Sequence, residues 1–326
     1  MQYIDINLPK IIEARDNHYL FMRYIIKKKL NGPNFNGTKP LKNMNQIKIV
    51  SNIDTLNKKV IDFLNDDDNL KKILIGTPEE LDSIKSMFID SEEELETLKK
   101  IINYKAWINK KKDDNTYKHY NAYHLAEKLD IPTCIYCNRI YTKTVIDKSG
   151  KKITRPTFDH WFPKSEYPLL ALSFYNLIPS CTVCNSGVKG ADPFQLSTHF
   201  HPYHRDVKNE LKYRFSYYHK NYDKYEFKIK TNDDDKFSED SVNAFQLENI
   251  YQAHEDEIED LRRIKDAYSE DYIKNLEEKI LCGISLDRNE VYRLAFGVHF
   301  EEAKFDRRPL SKMKKDILIE LGIIEE

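Results

Sequence analysis

The alternation of apolar and polar residues divides the chain into three stretches. Through residues 1–125 the spacing is mostly helical. Tyr19 to Leu30 reads as a helix stopped by Asn31-Gly32-Pro33-Asn34. Thr77-Pro78-Glu79-Glu80 is a helix start, with a Thr cap, Pro at the first helical position and Glu three residues after the cap. Ser91-Glu92-Glu93-Glu94 repeats the signal. The helix predicted from it carries Leu95, Leu98, Ile101, Ile102 and Trp107 and ends in Lys110, Lys111 and Lys112, a polarity that suits the helix dipole. After residue 206 the period changes. Leu211, Tyr213, Phe215 and Tyr217 alternate with polar residues, as do Tyr225, Phe227 and Ile229, which predicts a β-hairpin connected across Tyr218–Lys224. Asp233-Asp234-Asp235 reads as a solvated turn. Helical spacing from Leu247 through Ile250, Tyr251, His254, Ile258, Leu261, Ile264 and Tyr268 predicts one long amphipathic helix to about Gly283, with His254 packed on its apolar stripe. A last helix is predicted from about Pro309 to Leu321, and no internal repeat is found. The expected fold class is α+β: a mostly helical chain, a central metal-stabilised module, and a C-terminal hairpin with long helices. The expected divisions are 1–125, 126–206 and 207–326. The N-terminal helices read as a scaffold, or as a layer that contacts DNA or a partner.

Composition narrows the class. In 326 residues, 52 Lys and Arg nearly cancel 53 Asp and Glu, and 40% of residues are hydrophobic. With only 9 Gly and 12 Pro this excludes a collagenous, low-complexity or mainly disordered chain. The longest apolar stretch, Tyr167 to Pro179, is interrupted by Ser173 and Asn176 and is too short to span a bilayer. The first residues carry no basic-then-apolar signal pattern, so the expectation is a soluble, cytoplasmic protein without a membrane partner. The near-zero net charge is unevenly spread. Residues 131–206 hold nine Lys and Arg against five Asp and Glu. The positive excess thus falls in the segment with four of the five cysteines.

Those four cysteines form two knuckles, Cys134-Ile-Tyr-Cys137 and Cys181-Thr-Val-Cys184, with 43 residues between them. A CxxC turn points two thiolates at one centre, and two such turns complete a tetrahedral zinc shell of about 2.3 Å radius. Zinc therefore explains this spacing better than disulfides, with a ribbon devoid of chemistry as the alternative. Cys282 has no such partner and reads as a small buried hydrophobe. Inside the loop that the metal would close lies a basic hairpin, Ile140 to Thr157, turning at Lys148-Ser149-Gly150-Lys151. Phe158-Asp159-His160-Trp161-Phe162-Pro163-Lys164 follows, then Asn176-Leu177, and the second knuckle runs into Asn185-Ser186-Gly187-Val188-Lys189.

The ordered set of Asp-His, Asn-Leu and CxxC-Asn, nested between the knuckles, resembles the HNH nuclease family over about residues 131–206. The resemblance implies a ββα-metal site held on a four-cysteine zinc. It makes His160 the general base, Asp159 a ligand of a catalytic divalent ion, Asn176 the residue that pins the loop and orients the base, and Asn185 the second protein ligand. Two oxygen donors suit hard Mg²⁺ or Mn²⁺. Lys189 could touch phosphate, or be a solvated surface lysine. The chemistry is coherent on its own terms. Phosphodiester hydrolysis needs an activated water, charge neutralisation and help for the leaving oxygen, and a neutral imidazole beside a cation-binding carboxylate can supply these. Since neighbouring residues on a strand point to opposite faces, Asp159 and His160 can flank one phosphate only if the strand end curls. Plainer roles exist for each: a hydrogen-bonded Asp159–His160 pair, a turn cap at Asn176, and an apolar face at Trp161, Phe162 and Tyr167 rather than base stacking. His199, His201 and His204 read as packing beneath the knuckles or lining a groove, with a second zinc as the alternative. The string from Pro163 to Leu177, with His201-Pro202-Tyr203, is similar to HNH proteins of Septu-type and retron-linked antiphage systems, which work with an ABC/SMC-like ATPase. The expected activity is metal-dependent cleavage of DNA. A catalytically silent nucleic-acid-binding or assembly module, and an RNA-cleaving enzyme, are the competing expectations.

Overall fold

The computed structural model describes residues 1–44, 47–108, 115–206, 208–221, 224–268, 272–280 and 286–325. The fold is α+β. Helices α1 (Pro9–Asn31), α2 (Lys58–Asn65), α3 (Asp67–Ile75), α4 (Pro78–Ile84), α5 (Glu92–Ile101), α6 (Tyr104–Ile108) and α7 (Ala122–Leu129) precede three small antiparallel pairs. These are β1 (Val145–Ile146) with β2 (Lys152–Thr154), β3 (Thr157–His160) with β4 (Leu177–Ser180), and β5 (Arg214–Asn221) with β6 (Lys224–Lys230). Helices α8 (Lys236–Ala244), α9 (Leu247–Tyr251), α10 (Glu255–Tyr268), α11 (Tyr272–Asn275), α12 (Arg288–Phe296) and α13 (Ser311–Glu320) follow. No helix among the described residues is long and apolar enough to cross a membrane.

Helix α1 starts ten residues earlier than its apolar spacing predicts, because Pro9 sits at its first turn where no amide partner is needed. It buries Ile11, Ala14, Met22, Ile25 and Ile26 against α3 and α7. The Lys29 ammonium donates to the carbonyls of Lys100 (2.8 Å) and Ile101, closing the C-terminal end of α5. The Thr77–Glu80 capping box is present, and Ser91 caps α5. The single helix expected through Trp107 is two helices. Asn103 accepts the amide of Ala106 (2.9 Å) and opens α6, so the chain turns after Ile101. Lys110 to Lys112 lie outside the described residues. The turn carries Tyr104 and Trp107 onto the middle segment, where Tyr104 Oη donates to the Phe158 carbonyl (3.4 Å) and Trp107 is buried against the Phe158 ring.

The C-terminal hairpin is longer than predicted, since Tyr218 to Asn221 belong to β5. His219 packs on Tyr225 across the pair and meets Arg262 at 2.7 Å. The helix expected from Leu247 to about Gly283 is broken at a tight 3₁₀ turn, Gln252–His254. That turn aims Gln252 at the edge of β6, where it accepts from Phe227 N (3.1 Å) and donates to the Tyr225 carbonyl (2.7 Å). His254 is half-buried beside Arg139 rather than deep in the core. Cys282 and Gly283 lie outside the described residues. Helix α12 opens with an Asp287–Glu290 capping box, and α13 packs on β5 with Asp316 accepting the amide of Phe215 (2.9 Å).

One apolar core runs through all three stretches, including Ile25, Trp107, Phe158, Trp161, Phe245 and Met313. His18 ties α1 to the middle segment: Nε2 donates to the Leu172 carbonyl (2.7 Å) while Nδ1 accepts from Tyr120 Oη (3.1 Å). Burial pushes this histidine down to about 4 from 6.5. Between those values the unfolded chain takes up a proton that the folded chain refuses, so stability is lost as pH falls through the window. Across it His18 is expected to remove roughly 3 kcal/mol. Melting curves of wild type and His18→Gln at stepped pH check this. The variant should lose less stability on acidification, and parallel curves would refute the assignment.

Candidate metal centre and adjoining pocket

The knuckles are built from tight turns whose amides face sulfur. Arg139 N donates to Cys137 Sγ and Cys184 N to Cys181 Sγ, each at 3.4 Å. Asn138 adopts the left-handed conformation (φ 53°) that lets the first turn close. Its buried amide donates to Thr133 Oγ1 (3.1 Å) and to the carbonyls of Phe305 (2.8 Å) and Arg308 (3.2 Å), and its oxygen accepts Ser311 N (3.0 Å). The four sulfurs of Cys134, Cys137, Cys181 and Cys184 are buried and lie within 4.8 Å of one another. A tetrahedral zinc–thiolate shell needs sulfurs about 3.8 Å apart, and Cys137 and Cys181 stand at 3.9 Å. The group therefore fits a structural metal such as zinc. Burial pushes the Cys134 thiol up, and neighbouring thiols push Cys184 up, whereas hydrogen bonds from neighbouring thiols pull Cys137 and Cys181 down. A divalent cation is what would let all four ionise together.

The predicted hairpin inside the loop is present. Asp147 Oδ1 accepts the amides of Ser149 (2.9 Å) and Lys151 (2.8 Å), and Gly150 supplies the positive φ of 79°. Strand β3 then pairs with β4, setting Asp159 opposite Ile178 and His160 opposite Leu177. The strand ends at His160. Asp159, His160 and Asn185 all line one open cavity of about 320 Å³, with Tyr104, Arg155 and Lys164. Asn185 lies in the π-helical turn Val183–Lys189 that begins within the second knuckle. Its side chain makes no hydrogen bond among the described residues and is half-exposed.

His160 is held from one side only. Nε2 lies 3.0 Å from the Ala171 carbonyl, which fixes the proton on that nitrogen and leaves Nδ1 as an acceptor. The ring meets Tyr104 edge-on at 4.4 Å. Burial, and then the charge of Lys164, push His160 down to about 3 against the opposing pull of Ala171, so the ring is neutral at ordinary pH. Asn176 is fully buried between the two ends of the loop. Its oxygen accepts Phe162 N (2.7 Å), and its amide donates to the carbonyls of Phe162 (3.1 Å) and Leu170 (3.0 Å). It thus holds the chain immediately after His160. Asp159 is also buried: Oδ2 accepts from Tyr136 Oη (2.7 Å), and Oδ1 stands 3.6 Å from Lys189 Nζ.

Lys189 is not a solvated surface lysine. It closes the π-helical turn instead of starting a helix, and its side chain is 0% exposed. Its ammonium donates to the His160 carbonyl (3.0 Å), pairs with Asp159 and lies over the Phe194 ring. A lysine buried this way persists because a carboxylate and a carbonyl compensate it. Two histidines of the 199–204 run pack on aromatic rings and the third meets a carboxylate. His199 stacks on Phe194 at 4.3 Å, His201 is buried against Trp161, and His204 pairs with Glu79 at 2.9 Å. Among the described residues only the four cysteines form a metal-ligand cluster. Trp161 and Phe162 are fully buried and form the apolar face. Sequence reasoning missed Tyr104, Tyr136 and Arg155 at the site. Tyr136 had a readable signal, standing between the first two cysteines, whereas Tyr104 is brought in by tertiary packing alone. Compared with family models, curated proteins and solved structures, the chain matches none of them.

Proposed function

We propose that the protein hydrolyses phosphodiester bonds of DNA in the cavity between β3 and the π-helical turn, as a metal-dependent endonuclease of the HNH type. One observation carries this reading: Asp159, His160 and Asn185, drawn from a strand end and from the turn after the second knuckle, line a single cavity. A β-pair followed by a short π-helical turn, anchored on four cysteines, also supports this reading, since a ββα-metal site has its parts in that order.

In this reading His160 accepts a proton from water at Nδ1, because Nε2 is committed to Ala171. Asn176 keeps that imidazole in place by binding both sides of Phe162. Asp159 and Asn185 would hold Mg²⁺ or Mn²⁺, and their oxygen donors fit such an ion, since Asn185 is unengaged and the 3.6 Å approach of Lys189 leaves lone pairs on Asp159 Oδ1. The ion would neutralise charge at the phosphate and the leaving oxygen. A second reading, a nucleic-acid-binding module without turnover, is favoured by the same ion pair, because Lys189 competes with a metal for the carboxylate.

Plasmid DNA incubated with the pure protein and Mg²⁺ or Mn²⁺ separates them. The expected result is nicked and linear product, reduced about 100-fold or more in Asp159→Asn, which keeps the size of the buried side chain. Intact plasmid with both metals, or an Asn variant that cuts like wild type, would overturn the enzymatic reading.

A further inference from the structure

The charge balance of the cavity points to how its substrate is gripped. Among the described residues Asp159 is the only carboxylate lining it, and the buried Lys189 already pairs with that group. Two further cations among the described residues line the same cavity. Arg155 lies two residues before β3 and Lys164 four residues after it, so they bracket Asp159 and His160 along the chain. Neither forms an ion pair with a carboxylate among the described residues.

Arg155 is half-buried. One guanidinium nitrogen donates to the Pro156 carbonyl (2.6 Å), which locks the side chain, and the group lies 5.3 Å from the centre of the Tyr123 ring. Its Nε is buried without an acceptor, and no contact engages Nη2 among the described residues. A half-buried guanidinium whose Nη2 is unengaged can donate to a phosphate oxygen while the bond to Pro156 holds the fork in place. Lys164 is exposed, with its ammonium 5.6 Å from the centre of the Tyr104 ring. Tyr104 is the residue that packs edge-on against His160, so this cation is set beside the reacting groups.

We infer that Arg155 and Lys164 are a phosphate clamp: two cations that bind the phosphodiester backbone of a nucleic acid on either side of the group presented to His160. This deepens the hydrolytic reading and rests on it for the identity of the substrate. The clamp takes the role that the sequence had offered to Lys189, which the fold has committed to Asp159.

The test uses the full chain carrying His160→Ala, so that binding is read without cleavage. A fluorescein-labelled DNA duplex is titrated by anisotropy at several salt concentrations, without added Mg²⁺ or Mn²⁺. Adding Arg155→Gln or Lys164→Gln should weaken Kd by about tenfold each and lower the slope of log K against log salt by about 1. Arg155→Lys should recover the slope but only part of the affinity, because it restores the charge without the fork. Unchanged affinity and slope in both Gln variants would overturn the clamp, as would a parent that binds no duplex. The exposed Lys164 keeps the test decisive if Arg155→Gln folds poorly. If the clamp variants bind weakly but the wild type cuts nothing with either metal, the clamp stands and hydrolysis falls. If the clamp variants bind like their His160→Ala parent while the wild type cuts, hydrolysis stands and the clamp falls.

Discussion

Stripping the metal from the four cysteines is expected to collapse the cooperative fold, not merely loosen one loop. The first knuckle is where three parts of the chain meet. Gln2 N donates to the Ile135 carbonyl (3.0 Å), Tyr251 Oη donates to the Cys137 carbonyl (2.5 Å), and Asn138 holds the segment from Phe305 to Ser311. Each contact depends on the turn that a metal bound by the four cysteines would close. Binding of structural zinc contributes on the order of 10 kcal/mol, which is as large as the whole stability of a typical domain. Without the ion, four buried thiols remain within 4.8 Å, and no arrangement of protons satisfies them as thiolate–zinc bonds would. Metal analysis should find about one zinc per chain. After complete removal by a chelator, circular dichroism should show loss of the cooperative melt, and thiol reagents should reach cysteines that are at most 5% exposed in the folded state. Cys184→Ser should behave like the stripped protein. A metal-free protein that melts as before would mean the cysteines pack as plain thiols, and the centre would have to be withdrawn.

The parts of this fold that were legible in sequence are those set by short spacing. The two knuckles, the Thr77 capping box and the hairpin turn at Asp147 to Lys151 each depend on residues within four positions of one another, and each is present. What failed was set by contacts across the chain. Apolar spacing runs unbroken past Ile101, yet Asn103 caps a new helix there because Tyr104 and Trp107 have Phe158 to pack on. Apolar spacing likewise continues through Gln252, whose side chain instead completes the edge of β6. Lys189 shows the same limit at the site. A lysine after Asn185 and Gly187 has every local mark of a solvated residue, and only the fold supplies the buried carboxylate that claims it. The residues read as candidates from their order, Asp159, His160 and Asn185, are brought to one cavity. The wall that completes it, Tyr104, comes from a helix with no sequence rule connecting it to them.

Replacing His160 by alanine is expected to slow DNA cleavage by about 100- to 10,000-fold, the range associated with loss of a general base. The ring's one hydrogen bond, to Ala171, would leave a carbonyl without its donor, a cost of roughly 1–3 kcal/mol. That is too little to unfold a chain whose core extends from α1 to α13. Folding and rate are therefore separable: a melting curve close to wild type should accompany the lost activity. Two further readouts distinguish a base from a packing residue. Added imidazole should restore part of the rate in the alanine variant, since it can enter the cavity beside Asn185 and supply the missing nitrogen. The pH profile should also be unusual. An ordinary histidine base, half-protonated near 6.5, would lose roughly tenfold in rate for each pH unit below that value. Burial holds His160 down to about 3, so its base form stays populated as the solution is acidified, and the rate should hold well below 6.5. The imidazolium formed during reaction would then be stabilised by the negative charge growing on the phosphate, not by Asp159, which Lys189 already balances. Full activity in His160→Ala would remove the base assignment. A wild-type rate that falls from 6.5 while circular dichroism shows the fold intact at each pH would count against a buried, neutral base at His160.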